Sequence, residues 1–530
     1  MIHVIAPGSE QDSALLMVSA LQRSCGLHSA AASSFTAVMS AAQRAPSGRL
    51  FVFIHPREEW TPALRDLMKS GAKLLVFGRM SIGLASELGV SLSHQWPDGW
   101  AQGTLCPSAP LHDMAESAAQ VAYHGDSPKV AGRQPVLLRR PFRRHDYTNE
   151  WNNLGYGAIT ADGTSWSLSQ HATLDARNEI ACVEIAGNTL CSYAGIWDFP
   201  QSSVLWFNRP AGPMDSQEWR TVEDFLSCHR ANELPCIPVL SEIPDGYDSA
   251  VTMRLDCDEN VESARHLHQL YLEVRVPFSL ALHSRVLSDE RHHALPKEVL
   301  NHGGAILSHT ATHAPNWGGS YEAALGEGRT SADVIHSAVG HRVRYAVSPF
   351  HQTPAYARAG LADAGFAGCV GGIIHNDPDF LMARSGIPPG SGWGFIGHSQ
   401  QCMLHGDCLH PGTDPLRIYR EAFDIAKAGG SFFGYLDHPF SERYAYGWTS
   451  EEQRASAHRE FIAHIRTTGG RVLWANAEDT MDFLTDRAHT DLRSASEQWV
   501  LTRSRHLSAW HIAVRYRGEI HSLNRSLTLA

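Results

Sequence analysis

The chain lacks the marks of several protein classes. Its ten cysteines (Cys25, Cys106, Cys182, Cys191, Cys228, Cys236, Cys257, Cys369, Cys402 and Cys408) contain no C-x-x-C pair. That scatter predicts buried thiols rather than a disulfide framework. No stretch approaches the ~18 consecutive apolar residues of a membrane span, so none is expected. Basic residues are in deficit, with 44 Lys and Arg against 55 Asp and Glu and a net charge of −11. A general nucleic-acid binder normally carries a basic surplus, so no nucleic-acid partner is expected; Arg139, Arg140, Arg143 and Arg144 form a local basic patch. After the first apolar run stands Pro7-Gly8-Ser9 rather than G-x-G-x-x-G, so no dinucleotide cofactor is expected. No internal repeat or low-complexity tract is evident. The opening MIHVIAPGSEQDS has no cationic region followed by a long apolar run. It reads as a strand and a turn rather than a signal peptide, and the expected location is cytoplasmic.

What remains is ordinary globular composition, 43% hydrophobic and 9% aromatic over 530 residues, enough for about three domains. The first ~115 residues alternate short apolar runs (Ile2–Ala6, Leu50–Ile54, Lys73–Phe77) with helical periodicity (Ser13–Cys25, Pro62–Lys69). Buried strands alternating with helices predict a parallel, Rossmann-like α/β sheet. Between about 130 and 200, Tyr147, Trp151, Tyr156, Trp166, Tyr193 and Trp197 cluster among Gly-rich turns, which predicts a β-rich insertion. Ser203–Phe207 and Ser216–His229 then read as a further βα unit rejoining the first sheet, giving a domain over 1–235. Leu234-Pro235-Cys236-Ile237-Pro238 reads as a linker, and 240–485 as a third region. The segment 486–530 carries a predicted strand, Ala509–Tyr516, and no assignable role.

The chemistry concentrates in the third region. Val251–Asp256 reads as a strand, and side chains alternate faces along a strand, so Asp256 and Asp258 project together while Cys257 points away. Two carboxylates on one face repel unless a cation or shared proton relieves them; an Asp-rich turn is the plainer reading of the pair alone. About fifty residues on comes Ser308-His309-Thr310-Ala311-Thr312-His313, after the short apolar run Ala305–Leu307. The i, i+4 spacing predicts a helical turn with both imidazoles on one face. With one carboxylate they make a His₂Asp set, which leaves positions open as in a catalytic metal site. Two nitrogens and one oxygen suit Zn²⁺, and cobalt, nickel or iron would also fit. A third piece, Gly434-Tyr435-Leu436-Asp437-His438-Pro439, delivers His438 at the end of a predicted strand. In a parallel barrel such strand ends converge on one rim. Asp437 is expected to face away from His438, since neighbours on a strand do.

These motifs, in this order over residues 250–484, resemble the polysaccharide deacetylases, the NodB-homology group of metal-dependent carbohydrate esterases. Asp256-Cys257-Asp258 resembles the family's first motif in its D-x-D form, and SHTATH matches its H-[ST]-x-x-H. Ser348-Pro349-Phe350 resembles the Pro-aromatic core of its third motif, and Leu436-Asp437-His438-Pro439 its last. The resemblance implies a distorted, incomplete (β/α) barrel and removal of acetyl groups, most often from an N-acetylhexosamine. It also implies Asp258, His309 and His313 as ligands of a divalent metal, Asp256 as general base and His438 as general acid. Pro349 and Phe350 would line the acetyl pocket, with the Phe350 backbone N–H offered to the oxyanion. The expected partner is a carbohydrate; the oligomeric state stays open. The sequence departs from the pattern at Val347, where the family has an Arg that orients the catalytic Asp; Arg342, Arg344 and Arg254 are the alternatives. Asp377 and Asp379 are candidates for the acidic residue of the fourth motif. A deformylase or other amide hydrolase on the same scaffold, or a non-catalytic carbohydrate-binding protein, are the rival expectations.

Overall fold

The computed structural model describes residues 1–44, 49–97, 119–124, 139–141, 167–185, 187–212, 216–371, 384–389, 394–399, 402–404, 406, 414–495 and 498–530. Tyr147, Trp151, Tyr156, Trp166, Asp377, Asp379, Cys106, Cys408, Arg143 and Arg144 lie outside the described residues.

The apolar runs of the first 80 residues become strands because each is flanked by turn or helix-start residues and buries both faces. Ala30–Ala32, Ile2–Ile5, Arg49–Ile54, Ala72–Phe77 and Ser202–Phe207 lie side by side and parallel. The sheet then continues antiparallel through Asn188–Phe199, Glu179–Ile185, Gln120–Tyr123 and Arg139–Pro141. The strands expected as an insertion are therefore the second half of the same nine-stranded sheet. Tyr193 and Trp197 are core residues there.

The second sheet curls as a parallel half-barrel. Its strands run in the order Ile396–Ser399, Gly368–Gly371, Tyr345–Val347, Ala305–Ser308, Ser279–Leu282, Ser249–Cys257, Phe433–Asp437 and Cys402–Met403. Val472–Ala475 pairs with the first half of Ser249–Cys257. Helices such as Arg265–Glu273, Tyr321–Val339 and Glu451–Thr468 connect these strands. Among the described residues no helix is long and apolar enough to cross a membrane.

The boundaries expected at 235–240 and 485 are not breaks in packing. Cys236 and Ile237 are buried, and Trp499 Nε1 donates to the Cys236 carbonyl at 3.0 Å. Residues 234–238, which read as a linker, are packed against the rest of the fold. Val239–Pro244 pairs antiparallel with Ile512–Tyr516, which pairs with Glu519–Leu523. One apolar cluster runs from Ile2 and Leu205 through Leu307 and Val347 to Phe483 and Ile512. Buried charges follow the same seam. Glu223 accepts from Arg384 at 2.9 Å through both oxygens and also pairs with Arg515. Arg487 donates to the carbonyls of Leu240, Ser241 and Ser385. Arg384 and Arg487 are out of water and are stable there because their N–H groups are taken up.

Candidate active site

The strand Ser249–Cys257 is buried along its whole length, and its two faces do different work. Val251, Met253, Leu255 and Cys257 enter an apolar cluster. The alternate face carries Arg254 and Asp256, the period of two that a pleated strand imposes. Arg254 Nε donates to Asp256 Oδ1 at 2.8 Å and Nη2 to Oδ2 at 3.3 Å, with both residues at most 2% exposed. Burial alone would push the Asp256 carboxyl up. The Arg254 guanidinium, with His309 and His438 nearby, outweighs that and holds it well below the usual carboxylate range.

Asp258 stands just past the strand end. Its Oδ1 is 3.4 Å from His309 Nε2 and 3.7 Å from His313 Nε2, and the two imidazole nitrogens are 3.2 Å apart. Oδ1 is buried and has no hydrogen-bond partner among the described residues. Its Oδ2 accepts from Tyr444 Oη at 2.9 Å and lies 3.9 Å from His438 Nε2. His309 Nδ1 lies 3.2 Å from the Val347 carbonyl. Val347, which occupies the place of the expected Arg, thus fixes the His309 ring through its backbone. An Nδ1–H donated there leaves the Nε2 lone pair facing Asp258. Burial first, and then the neighbouring His309, push His313 down to about 4, so it too presents a lone pair.

The two histidines do not sit on a helical turn. His309 follows the strand Ala305–Ser308, and residues 309–313 form a loop in which Thr310 (φ 68°) and His313 (φ 55°) are left-handed. Such backbone is costly for residues with a Cβ and persists where neighbours over-determine it. Here Glu327, from the helix Tyr321–Val339, accepts from Ala311 N, Thr312 N (2.9 Å each) and Thr312 Oγ1 (2.6 Å), while Thr310 Oγ1 accepts from His313 N at 2.7 Å. The turn comes from these side-chain acceptors and not from i→i−4 bonds.

His438 leaves the strand Phe433–Asp437 with its backbone held: its N–H donates to Asp437 Oδ1 at 2.7 Å, and Arg454 donates to its carbonyl. Asp437 itself turns away, to His458 at 2.9 Å. The His438 ring lies flat on Tyr444, centroids 5.0 Å apart and planes at 7°, with Tyr446 at 5.2 Å. Pro349 opens the short 3₁₀ segment Pro349–His351; Phe350 is left-handed (φ 50°), and its ring lies 4.7 Å from that of His313. Of the alternative cations, Arg254 lies on Asp256, whereas Arg344 is engaged with Glu478 and Asp482, and Arg342 is exposed.

Tyr444 and Glu327 carried no sequence signal. Nor did His283, whose Nδ1 is 2.9 Å from the Asp258 carbonyl. A second group of metal-capable donors, His124, Glu179 and Cys182, lies in the first sheet. There His124 and Glu179 bond each other at 2.8 Å, Ser192 takes the other Glu179 oxygen and Cys182 Sγ contacts Glu184 and Thr189 at 3.8 Å, so all three donors are already engaged.

The Asp258–His309–His313 set fits a divalent cation on its own chemistry. A buried carboxylate oxygen with no donor among the described residues faces two imidazole nitrogens, the mixed N/O set that a divalent cation takes.

Comparison with protein-family models and with curated proteins found no match. Among solved structures, a protein from Mycobacterium smegmatis named as a candidate polysaccharide deacetylase is 16% identical, over 48% of this chain and 96% of that one, with a TM-score of 0.39. Puue allantoinase is 13% identical over 46% and 92% (TM-score 0.35). A family 4 acetyl xylan esterase from Clostridium thermocellum, solved with cobalt, is 13% identical over 42% and 87% (TM-score 0.29).

Proposed function

We propose that the protein is a metal-dependent hydrolase that removes the N-acetyl group from an N-acetylhexosamine unit of a glycan or glycan precursor. The observation that carries this reading is the donor-less Asp258 Oδ1 facing His309 and His313, beside a buried Asp256 kept ionised by Arg254. Asp258, His309 and His313 would hold the cation, with Zn²⁺ suiting two nitrogens and one oxygen. When bound, such a cation supplies Lewis-acid polarisation of the acetyl carbonyl and brings the pKa of water towards ~7.

The chain's own groups do the rest. Asp256 takes the proton of the attacking water. A carboxylate held so far down is a weak base, so its role as proton acceptor would rest on the acidity that a bound cation would lend the water. Arg254 keeps both Asp256 oxygens in a fixed plane while this happens. The amide nitrogen must be protonated before it leaves, and an imidazole can do this; His438 Nε2, 3.9 Å from Asp258 Oδ2, is the donor. Phe350 and Pro349 line the acetyl pocket, where a backbone N–H serves the oxyanion.

The test is metal content plus acetate release from a panel of N-acetylhexosamine substrates, with N-formyl analogues alongside. His309→Ala and Asp258→Ala should lose metal and activity together. Asp256→Asn should keep the metal and lose about 10²–10⁴-fold in turnover. Formate release without acetate release would make the protein a deformylase on the same site, and metal binding with neither product would leave a carbohydrate-binding role.

A further inference from the structure

Resting on that reading, we infer that Tyr444 is a positioning residue that selects which oxygen of Asp258 faces the cation and keeps the His438 ring beside it. A carboxylate has two equivalent oxygens, and rotation about Cβ–Cγ exchanges them. At Asp258 the equivalence is broken by a hydroxyl: Tyr444 donates to Oδ2 at 2.9 Å, while Oδ1 has no donor among the described residues and faces both imidazoles. The side chain is thereby preset to bind through one oxygen, the outer-shell arrangement that orients ligands at metal centres.

The same residue reaches the proton donor by its ring. Tyr444 and His438 are stacked at 5.0 Å and 7°, so the imidazole plane is set by the aromatic face it lies on. Tyr444 is itself held. It is 8% exposed, its backbone N–H donates to Ser441 Oγ at 3.2 Å, and Arg443 lies over its ring while pairing with Glu259 at 3.0 Å. One residue thus ties the cation's carboxylate ligand to the group that protonates the leaving amine.

Two substitutions separate the hydroxyl from the ring. The metal-free full chain is titrated with Zn²⁺ by calorimetry, and kcat and KM are measured at saturating metal; circular dichroism reports folding. Tyr444→Phe keeps the ring and should weaken Zn²⁺ binding about 10–100-fold. Tyr444→Leu should show the same loss of affinity and a further fall in kcat on the order of 10²-fold from misorientation of the imidazole, at little-changed KM. Unchanged Zn²⁺ affinity in Tyr444→Phe overturns the inference, and this variant decides it even if Tyr444→Leu does not fold. Equal kcat in the two variants overturns the role of the ring. If the unsubstituted protein binds no Zn²⁺, or binds it equally well as His309→Ala, the parent reading fails and this one with it.

Discussion

Arg254 offers the sharpest test of how the site is held together. Replacing it by Met keeps much of its volume and removes the only guanidinium bonded to Asp256 among the described residues. Asp256 is 1% exposed, so solvent cannot take over. Two outcomes are open to the stranded group. If it stays ionised, breaking a buried pair costs about 3–5 kcal/mol. If it takes up a proton instead, the cost at pH 7 is capped near 4.4 kcal/mol, at ~1.36 kcal/mol per unit from its ordinary value of 3.8. Either way Arg254→Met should be destabilised by roughly 3–4 kcal/mol at neutral pH. The pH dependence distinguishes this from lost packing. In the unsubstituted protein the Asp256 carboxyl sits below its ordinary value, so its contribution is fully present above about pH 4 and lost only on further acidification. In Arg254→Met the carboxyl would sit above its ordinary value, so the folded state binds the extra proton and the deficit shrinks as pH falls from 7 towards 4.5. Urea unfolding followed by tryptophan fluorescence at both pH values measures this, with the double variant Arg254→Met/Asp256→Asn to recover most of the loss. A deficit that is independent of pH and additive with Asp256→Asn would refute the argument.

Two further outcomes are expected. Glu327→Ala removes the acceptor for three donors of the 309–313 loop, so Zn²⁺ affinity should fall about 10–100-fold in calorimetry while the circular dichroism spectrum is retained. His398 is buried and pushed down to about 4, first by desolvation, so it is neutral in the fold and charges on unfolding. Its contribution is complete above pH 6.5 and is lost as pH falls towards 4, about 3 kcal/mol in all; urea midpoints across that window should flatten in His398→Asn.

What could be read from the residues was what regular strands carry. The alternation in Ser249–Cys257 puts Arg254 and Asp256 on one face, and a strand's exit points His438 where its neighbour Asp437 cannot go. What could not be read was set by partners far along the chain. The H-x-x-x-H spacing implies a helical turn, but Glu327 captures the backbone N–H groups and turns the segment left-handed. Val347 reads as a missing cation, yet its carbonyl orients His309 and the cation on Asp256 comes from the same strand two residues earlier. Tyr444 lies in a segment, 440–449, with no periodicity to read. The prolines at 235 and 238 read as a linker because proline punctuates turns, yet the segment is packed, with Trp499 bonded to the Cys236 carbonyl.

The pairing of Val239–Pro244 with Ile512–Tyr516 sets an order of events for the growing chain. The earlier strand leaves the ribosome some 270 residues before the one that covers it. Until then its edge is bare, open to any other strand that meets it. Glu223 likewise waits for Arg384 and Arg515, both made long after it. That pairing and the Glu223–Arg515 contact are therefore complete only after synthesis has passed residue 516. Cutting the chain at 485 would remove a wall of the molecule and leave the first strand of that wall exposed.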